Sequence, residues 1–423
     1  MRWSPQEAVA AETHAGRFML SVAFLSLLLQ GATVPESLSL ADAVEHARGR
    51  RAEASGISAR VAEARAVRRI SWRPVNPTVE YTEVAADETR RLAFVQPLGS
   101  LPRLALDRRA ATSALHAAAA DSTQRLANLE RDVVRAYFGA VASERRVTLL
   151  LELVALTDSL RTLAARRAAL GDISDLDRDQ FALEATRVRL QLSRAEEQRA
   201  ARQAALAREL AWDAAALPLL SEPLTAGLPD AAAVAAGDGA SYHAADVPEV
   251  QRARLAAEAA TLSARSLRWA RLPIPGLLFQ RDWSRVSGVP TLTRVGVSLP
   301  FPLFTRGSEA MDAGEARARV AEAQAAESAI DAERAIAAGR ARVEESARRS
   351  RLAADSLVTG VVRLRAGAVR LYDAGRTSVL QVLEALRAER DAQLLAVDEL
   401  LAYQEARADL TALVGRSVIP SNR

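Results

Sequence analysis

The 423 residues carry 56 basic side chains, all of them arginine, against 52 acidic ones, and no cysteine. Absent thiols exclude a disulfide framework, a thiolate metal site and a lipid-bearing cysteine, while absent lysine excludes a P-loop or Schiff-base lysine. A net charge of +4 spread over interleaved arginines and carboxylates, without a basic block or aromatic platform, describes solvated helix faces and argues against nucleic-acid binding.

An excess of Ala, Arg, Leu and Glu with only 4% aromatics points to long helices. In chain order, the first element is an apolar run, "FMLSVAFLSLLLQGA" (Phe18 to Ala32) after Arg17. It is too short to span a bilayer comfortably and has the length of a secretory h-region, so residues 1–32 are expected to be a signal peptide cleaved near Ala32. A buried N-terminal helix is the alternative, and Glu7 and Glu12 in the preceding segment are unusual for export.

The remainder repeats one order of events. Residues 33–212 form a first repeat and 247–416 a second, joined by a Pro-, Gly- and Ala-rich linker (213–246) and followed by a short tail (417–423). Each repeat opens with a helical segment, breaks at prolines ("WRPVNP", "RLPIPG") and continues through two short alternating runs. A very long helical run, a glycine break and a return helix follow. Pro97 and Pro300 are 203 positions apart; Gly171 and Gly375, and Ala211 and Gly415, are 204 apart. Such a constant shift is the mark of internal duplication.

The alternating runs predict β-hairpins at 76–97 and 276–300. One face carries Val79, Tyr81, Leu92, Phe94, Leu277, Phe279, Val295, Val297 and Leu299; the other carries Thr78, Glu80, Thr82, Arg91, Gln280, Asp282, Arg294 and Ser298. Arginine at the lipid midplane of a barrel costs about 2–4 kcal/mol, so in a membrane the charged face must line an interior. Ordinary soluble hairpins fit the same pattern.

The runs at 103–170 and 306–374 predict rods of about 100 Å at 1.5 Å per residue. Alanine at their apolar positions permits close approach of neighbours, with Leu149, Leu153, Leu160, Val358 and Val361 as larger knobs. Tips at 171–175 and 375–378 precede return helices at 176–212 and 379–415. Four strands cannot close a membrane barrel, since single-chain barrels start at about eight. An open edge in lipid strands unpaired backbone groups, so several chains would have to share one barrel.

This order of elements, the opening "LSLADAVEHA" and the closing "GRTSVLQVLEALRAERDAQLLAVDELLAYQEARADLTALVG" resemble the TolC-type outer-membrane factors, with the heavy-metal-efflux branch the nearest by general likeness. The resemblance covers nearly everything after Pro35 and is most specific at Gly375, Leu380, Leu383, Ala385, Tyr403, Leu410 and Gly415. It implies a mainly α chain with a small membrane β part, assembled as a homotrimer with a shared β-barrel and a periplasmic α-barrel. It also implies an exit duct in the outer membrane, working with a periplasmic adaptor and an inner-membrane pump of the resistance-nodulation-division type.

The same resemblance places a gate at the tips. Glu384, nine residues after Gly375, matches a carboxylate ring position, and Gln381 stands where the family has another carboxylate. Asp177, six residues past Gly171, matches an aspartate that holds the tip closed, and Tyr372 matches its tyrosine partner. The family's arginine would fall at Thr377, whereas the arginine here is Arg376. Like charges about 4 Å apart at an effective dielectric near 20 repel by roughly 4 kcal/mol, so a carboxylate ring would favour bound cations. The residues alone read equally as solvated polar groups at helix starts, where Asp172, Asp175 and Asp177 suit the helix dipole.

No catalytic constellation, cofactor motif or metal site is expected: His14, His46, His116 and His243 are scattered, and no G-x-S-x-G or G-x-G-x-x-G loop occurs. A periplasmic adaptor and a soluble coiled-coil scaffold are the competing functions. The adaptor would need more β structure and a single hairpin, and the scaffold explains neither the strands nor the export segment.

Overall fold

Helix-forming Ala, Leu, Arg and Glu dominate the chain, and the computed structural model is correspondingly a set of rods. It describes residues 37–84, 89–212, 217–230, 242–269, 272–285, 288, 290–299 and 307–416. The expected export segment, the tail 417–423 and linker residues 213–216 and 231–241 lie outside these.

The first repeat runs β1 (Ser37–Leu38), α1 (Leu40–Arg50), α2 (Ala52–Ile70), β2 (Thr78–Val84), β3 (Thr89–Pro97), α3 (Leu101–Ala169) and α4 (Asp175–Leu210). After β4 (Leu219–Leu220) the second runs α5 (Pro248–Trp269), β5 (Gly276–Ser284), β6 (Leu292–Ser298), α6 (Ser308–Arg351), α7 (Thr359–Asp373) and α8 (Val379–Leu413). Two long helical hairpins and two β-hairpins are thus present, as the repeat implies. One difference stands out. The second rod is interrupted by a π-helical stretch, Leu352–Val358, between α6 and α7. No proline or glycine falls inside it to announce the change of winding.

The helices lie side by side as a ribbon. In its upper half, below the sheet, the order is α2, α3, α5, α6; in its lower half it is α4, α3, α8, α7. The ribbon therefore has two unlike edges, α2 over α4 on one side and α6 over α7 on the other. Close approach comes from small residues, as anticipated. Ala318, Ala325, Ala332, Ser346 and Ala353 are buried at multiples of seven along one face of the second rod. A Cβ added at Gly339, on the same repeat, would come within 3.1 Å of Leu410. The larger knobs Leu149, Leu153 and Leu160 are buried, while Val358 and Val361 are half-buried.

At mid-height, β1 pairs in parallel with β4. The Tyr137 hydroxyl donates to the Leu38 carbonyl (2.8 Å) and accepts from the Glu222 amide (3.1 Å). Gln404 of α8 donates to the carbonyls of Leu224 (2.9 Å) and Ala226 (2.7 Å). The segment after β4 is therefore strapped across the helices rather than being a loose link, and Arg351, at the edge of the π stretch, donates to the Pro229 carbonyl (2.6 Å). Tyr137, Phe138, Val133, Val134, Leu206 and Leu210 form the core beneath the strap.

The four strands form one antiparallel sheet in the order β2-β3-β5-β6, with β2 and β6 as open edges. Register aligns Val79, Phe94, Phe279 and Val295 across one face, flanked by rows holding Leu277 and Val297, and Tyr81 and Leu92. None of the described residues covers that face: Val79 is 62% and Val295 77% exposed. Arg281, not among the residues assigned to a face from the sequence, stands on the apolar face with Leu277 and Phe279, beside Leu92 and Thr293. On the opposite face, Asp282 accepts from Arg91 (3.0 Å) and from Gln280 (3.0 Å) and pairs with Arg294 (3.5 Å). No helix among the described residues is long and apolar enough to cross a membrane.

Candidate functional site at the helix tips

Both rods end in the same turn. Gly171 (φ +77°) and Gly375 (φ +68°) take the left-handed conformation that closes a helix C-terminus, and open space surrounds both, so backbone conformation alone demands glycine there. The Asp172 amide then donates back to the Arg167 carbonyl (2.9 Å), and the Arg376 amide to the Leu371 carbonyl (2.8 Å), the six-to-one bond of a Schellman motif.

The return helices start differently. Ser174 caps α4 in a reciprocal box: its hydroxyl oxygen accepts from the Asp177 amide (3.1 Å), and Asp177 accepts from the Ser174 hydroxyl (2.8 Å) and amide (3.4 Å). Ser378 occupies the same place on α8 but its side chain makes no cap bond; next to it, the Thr377 hydroxyl donates to the Gln381 amide oxygen.

The expected gate residues separate into two groups. Tyr372 is buried, its ring edge-on to Phe181 (centroids 5.8 Å apart) and under the Arg167 guanidinium (5.0 Å). Arg167 also donates to the Tyr372 carbonyl (3.2 Å), so this ring joins the tip of the second hairpin to both helices of the first. Its hydroxyl has no hydrogen-bond partner among the described residues, and Asp177 is occupied by the cap instead. Gln381 and Glu384, three apart, share the exposed face of α8, and Arg376 is exposed at the turn. Seven-residue steps from Glu384 lead to Asp391 and Asp398, but those two are held by Arg390 and Arg146, whereas Glu384 has no arginine partner among the described residues.

A second cluster, just behind the tips, was missed in the sequence. Glu184 of α4 is 2% exposed and accepts from Arg387 through both Nε (2.9 Å) and Nη2 (2.7 Å). Arg390 (3.3 Å) and Arg187 (3.1 Å) complete its shell. Two arginines of the second repeat thereby clasp one carboxylate of the first. The signal was available: Glu184 falls between Phe181, Ala185 and Val188, on the apolar face of its helix, where a lone carboxylate needs a partner. Nearby, Glu389 is buried against Arg365; burial pushes its carboxyl above the ordinary range despite that arginine. Among the described residues no cluster of three metal-ligating side chains occurs.

Rods, a four-stranded sheet at one end and paired glycine tips at the other can be matched to solved structures. The chain superimposes on a membrane protein from Pseudomonas aeruginosa with a TM-score of 0.74 at 18% identity, covering 89% of this chain and 90% of that one. CusC, a protein described in terms of transmembrane channel formation, matches with a TM-score of 0.74 at 16% identity, over 89% and 92%. The outer membrane protein VceC from Vibrio cholerae gives 0.71 at 18%, over 90% and 97%. The fold is that of the TolC-type outer-membrane channels. No protein-family model matches the sequence, and no curated protein does.

Proposed function

We propose that the chain is the outer-membrane exit duct of a tripartite efflux or type I secretion system. It would conduct cargo passively from an inner-membrane pump of the resistance-nodulation-division type and a periplasmic adaptor. The observation that carries this is the sheet. Its apolar face is bare, its other face holds Asp282 between arginines, and its edges β2 and β6 are open. In lipid those edges must pair, and three copies of four strands give twelve, comfortably above the minimum for a barrel. Rods about 100 Å long then extend the barrel across an aqueous compartment. Neither an adaptor nor a soluble scaffold has a use for such a sheet. Fractionation tests it: the protein should sediment with outer membranes as a heat-sensitive trimer that only detergent releases, and recovery in the soluble fraction without detergent would refute it.

The tips are the gate in this proposal. Glu384, exposed and without an ion-pair partner among the described residues, supplies one carboxylate per copy to a ring, and Gln381 beside it supplies none. Such a ring concentrates cations and is relieved by binding them. Glu384→Gln is expected to weaken divalent-cation block of single-channel current; block unchanged from the parent would remove Glu384 from the constriction.

A further inference from the structure

The lower half of the ribbon leaves two stripes of leucine in solvent. On α4, Leu176, Leu183 and Leu190 are 68, 63 and 59% exposed. On the opposite edge, Leu357, Leu364 and Leu371 are 39, 57 and 48% exposed. Seven-residue spacing keeps the α4 set on one helical stripe and Leu364 and Leu371 of α7 on another, the arrangement that supplies knobs to a facing helix, with Leu357 exposed at the lower end of the π stretch above them. Apolar patches of this regularity on a polar rod mark contact surfaces.

The heights agree. Counted from Gly171, the α4 leucines lie 5, 12 and 19 residues above the tip; counted back from Gly375, the others lie 4, 11 and 18 residues above it. At 1.5 Å per residue the two ladders match rung for rung to within about 2 Å. One helix ascends from its tip and the other descends to its own, so they would meet antiparallel. The edges also correspond. The α4 edge lies on the side of the ribbon that carries α2 and leads up to β2, and the α7 edge on the side that carries α6 and leads up to β6. Any closure that joins β6 of one copy to β2 of the next brings these two ladders together below.

We propose that Leu176, Leu183 and Leu190 of one copy interlock with Leu371, Leu364 and Leu357 of the next, forming an apolar seam between copies just above the tips. The occupant of each stripe is a second copy of this chain, and the proposal rests on the trimeric duct. It makes the two kinds of seam around the mouth different. The seam within a copy is centred on Tyr372 and the Glu184 clasp, and the seam between copies is leucine on leucine.

Because the chain has no cysteine, introduced pairs report without background. A disulfide forms only when Cβ atoms come within about 4.5 Å. In outer membranes, Leu183→Cys combined with Leu364→Cys should oxidise to a covalent species of three times the chain mass. Leu190→Cys with Leu357→Cys should do the same. The off-register pair Leu183→Cys with Leu371→Cys, one rung apart, should stay monomeric on a denaturing gel. All five positions are exposed in the single chain, so folding of the copy is not at stake. A native trimer in which neither matched pair cross-links, or in which the off-register pair cross-links equally, overturns the seam and leaves the duct standing. Cross-linking of these cysteines to a different protein overturns it as well. Absence of any trimer overturns the seam and the duct together.

Discussion

The return helices α4 and α8 hold equivalent places in the two repeats and have become different objects. In α4 seven of 36 residues are buried; in α8 sixteen of 35 are. One is an edge of the ribbon, packed on α3 alone along most of its length, and the other lies between α3 and the second rod. Positions 204 apart show the divergence residue by residue. Phe181 corresponds to Ala385, Leu183 to Arg387, and Ala168 to Tyr372. Large side chains facing each other across the tip were therefore not duplicated but divided between the copies, one ring from each repeat. A repeat that must form both an inner wall and an outer edge cannot keep identical faces.

Four substitutions at two sites sharpen this contrast, the ring before the capping serines. Tyr372→Ala removes the ring that Phe181 and Arg167 pack against and should cost about 3 kcal/mol, read as a lower midpoint in thermal unfolding of the detergent-solubilised protein. Tyr372→Phe deletes a buried hydroxyl that has no partner among the described residues, so stability should hold or rise by up to about 1 kcal/mol. A large loss from the phenylalanine variant would mean that the hydroxyl is bonded after all. Ser174→Ala breaks the capping box and should cost about 1 kcal/mol, whereas Ser378→Ala, at the same place in the second repeat, should change the midpoint hardly at all. Equal losses at the two serines would erase the difference between the tips.

Much of this architecture was legible in residue order. Glycine at 171 and 375 announced the turns because a Schellman ending places its last residue in the left-handed region, which glycine enters without a Cβ penalty. Period-two alternation placed the apolar and polar faces of the sheet, since pleating leaves no other option. What escaped depended on partners far away in sequence. Glu184 meets Arg387 203 positions later, and nothing local in an arginine-rich chain says which arginine it will find. Asp177 was assigned through resemblance to a tyrosine latch, while its own neighbourhood, serine three residues before, already spelled a capping box. Arg281 shares a face with Leu277 and Phe279 by the same alternation, and the ladder register adds its row-mates Leu92 and Thr293.

The π stretch at Leu352–Val358 has a consequence for how the second rod is timed. A π turn holds one residue more than an α turn, which offsets everything beyond it by about 100° of rotation. Above it, the small residues from Ala318 to Ser346 keep a single azimuth, and Ala353 continues it into the first turn of the π stretch; below it, Gly360 and Gly367 continue the count without being buried, and Tyr372 takes over the inward position. The rod is thus two helices with separate clocks sharing one axis. Its upper half is set by the alanine seam, and the bearing of its lower half is set by where the extra residue sits, beside the strap anchored at Pro229.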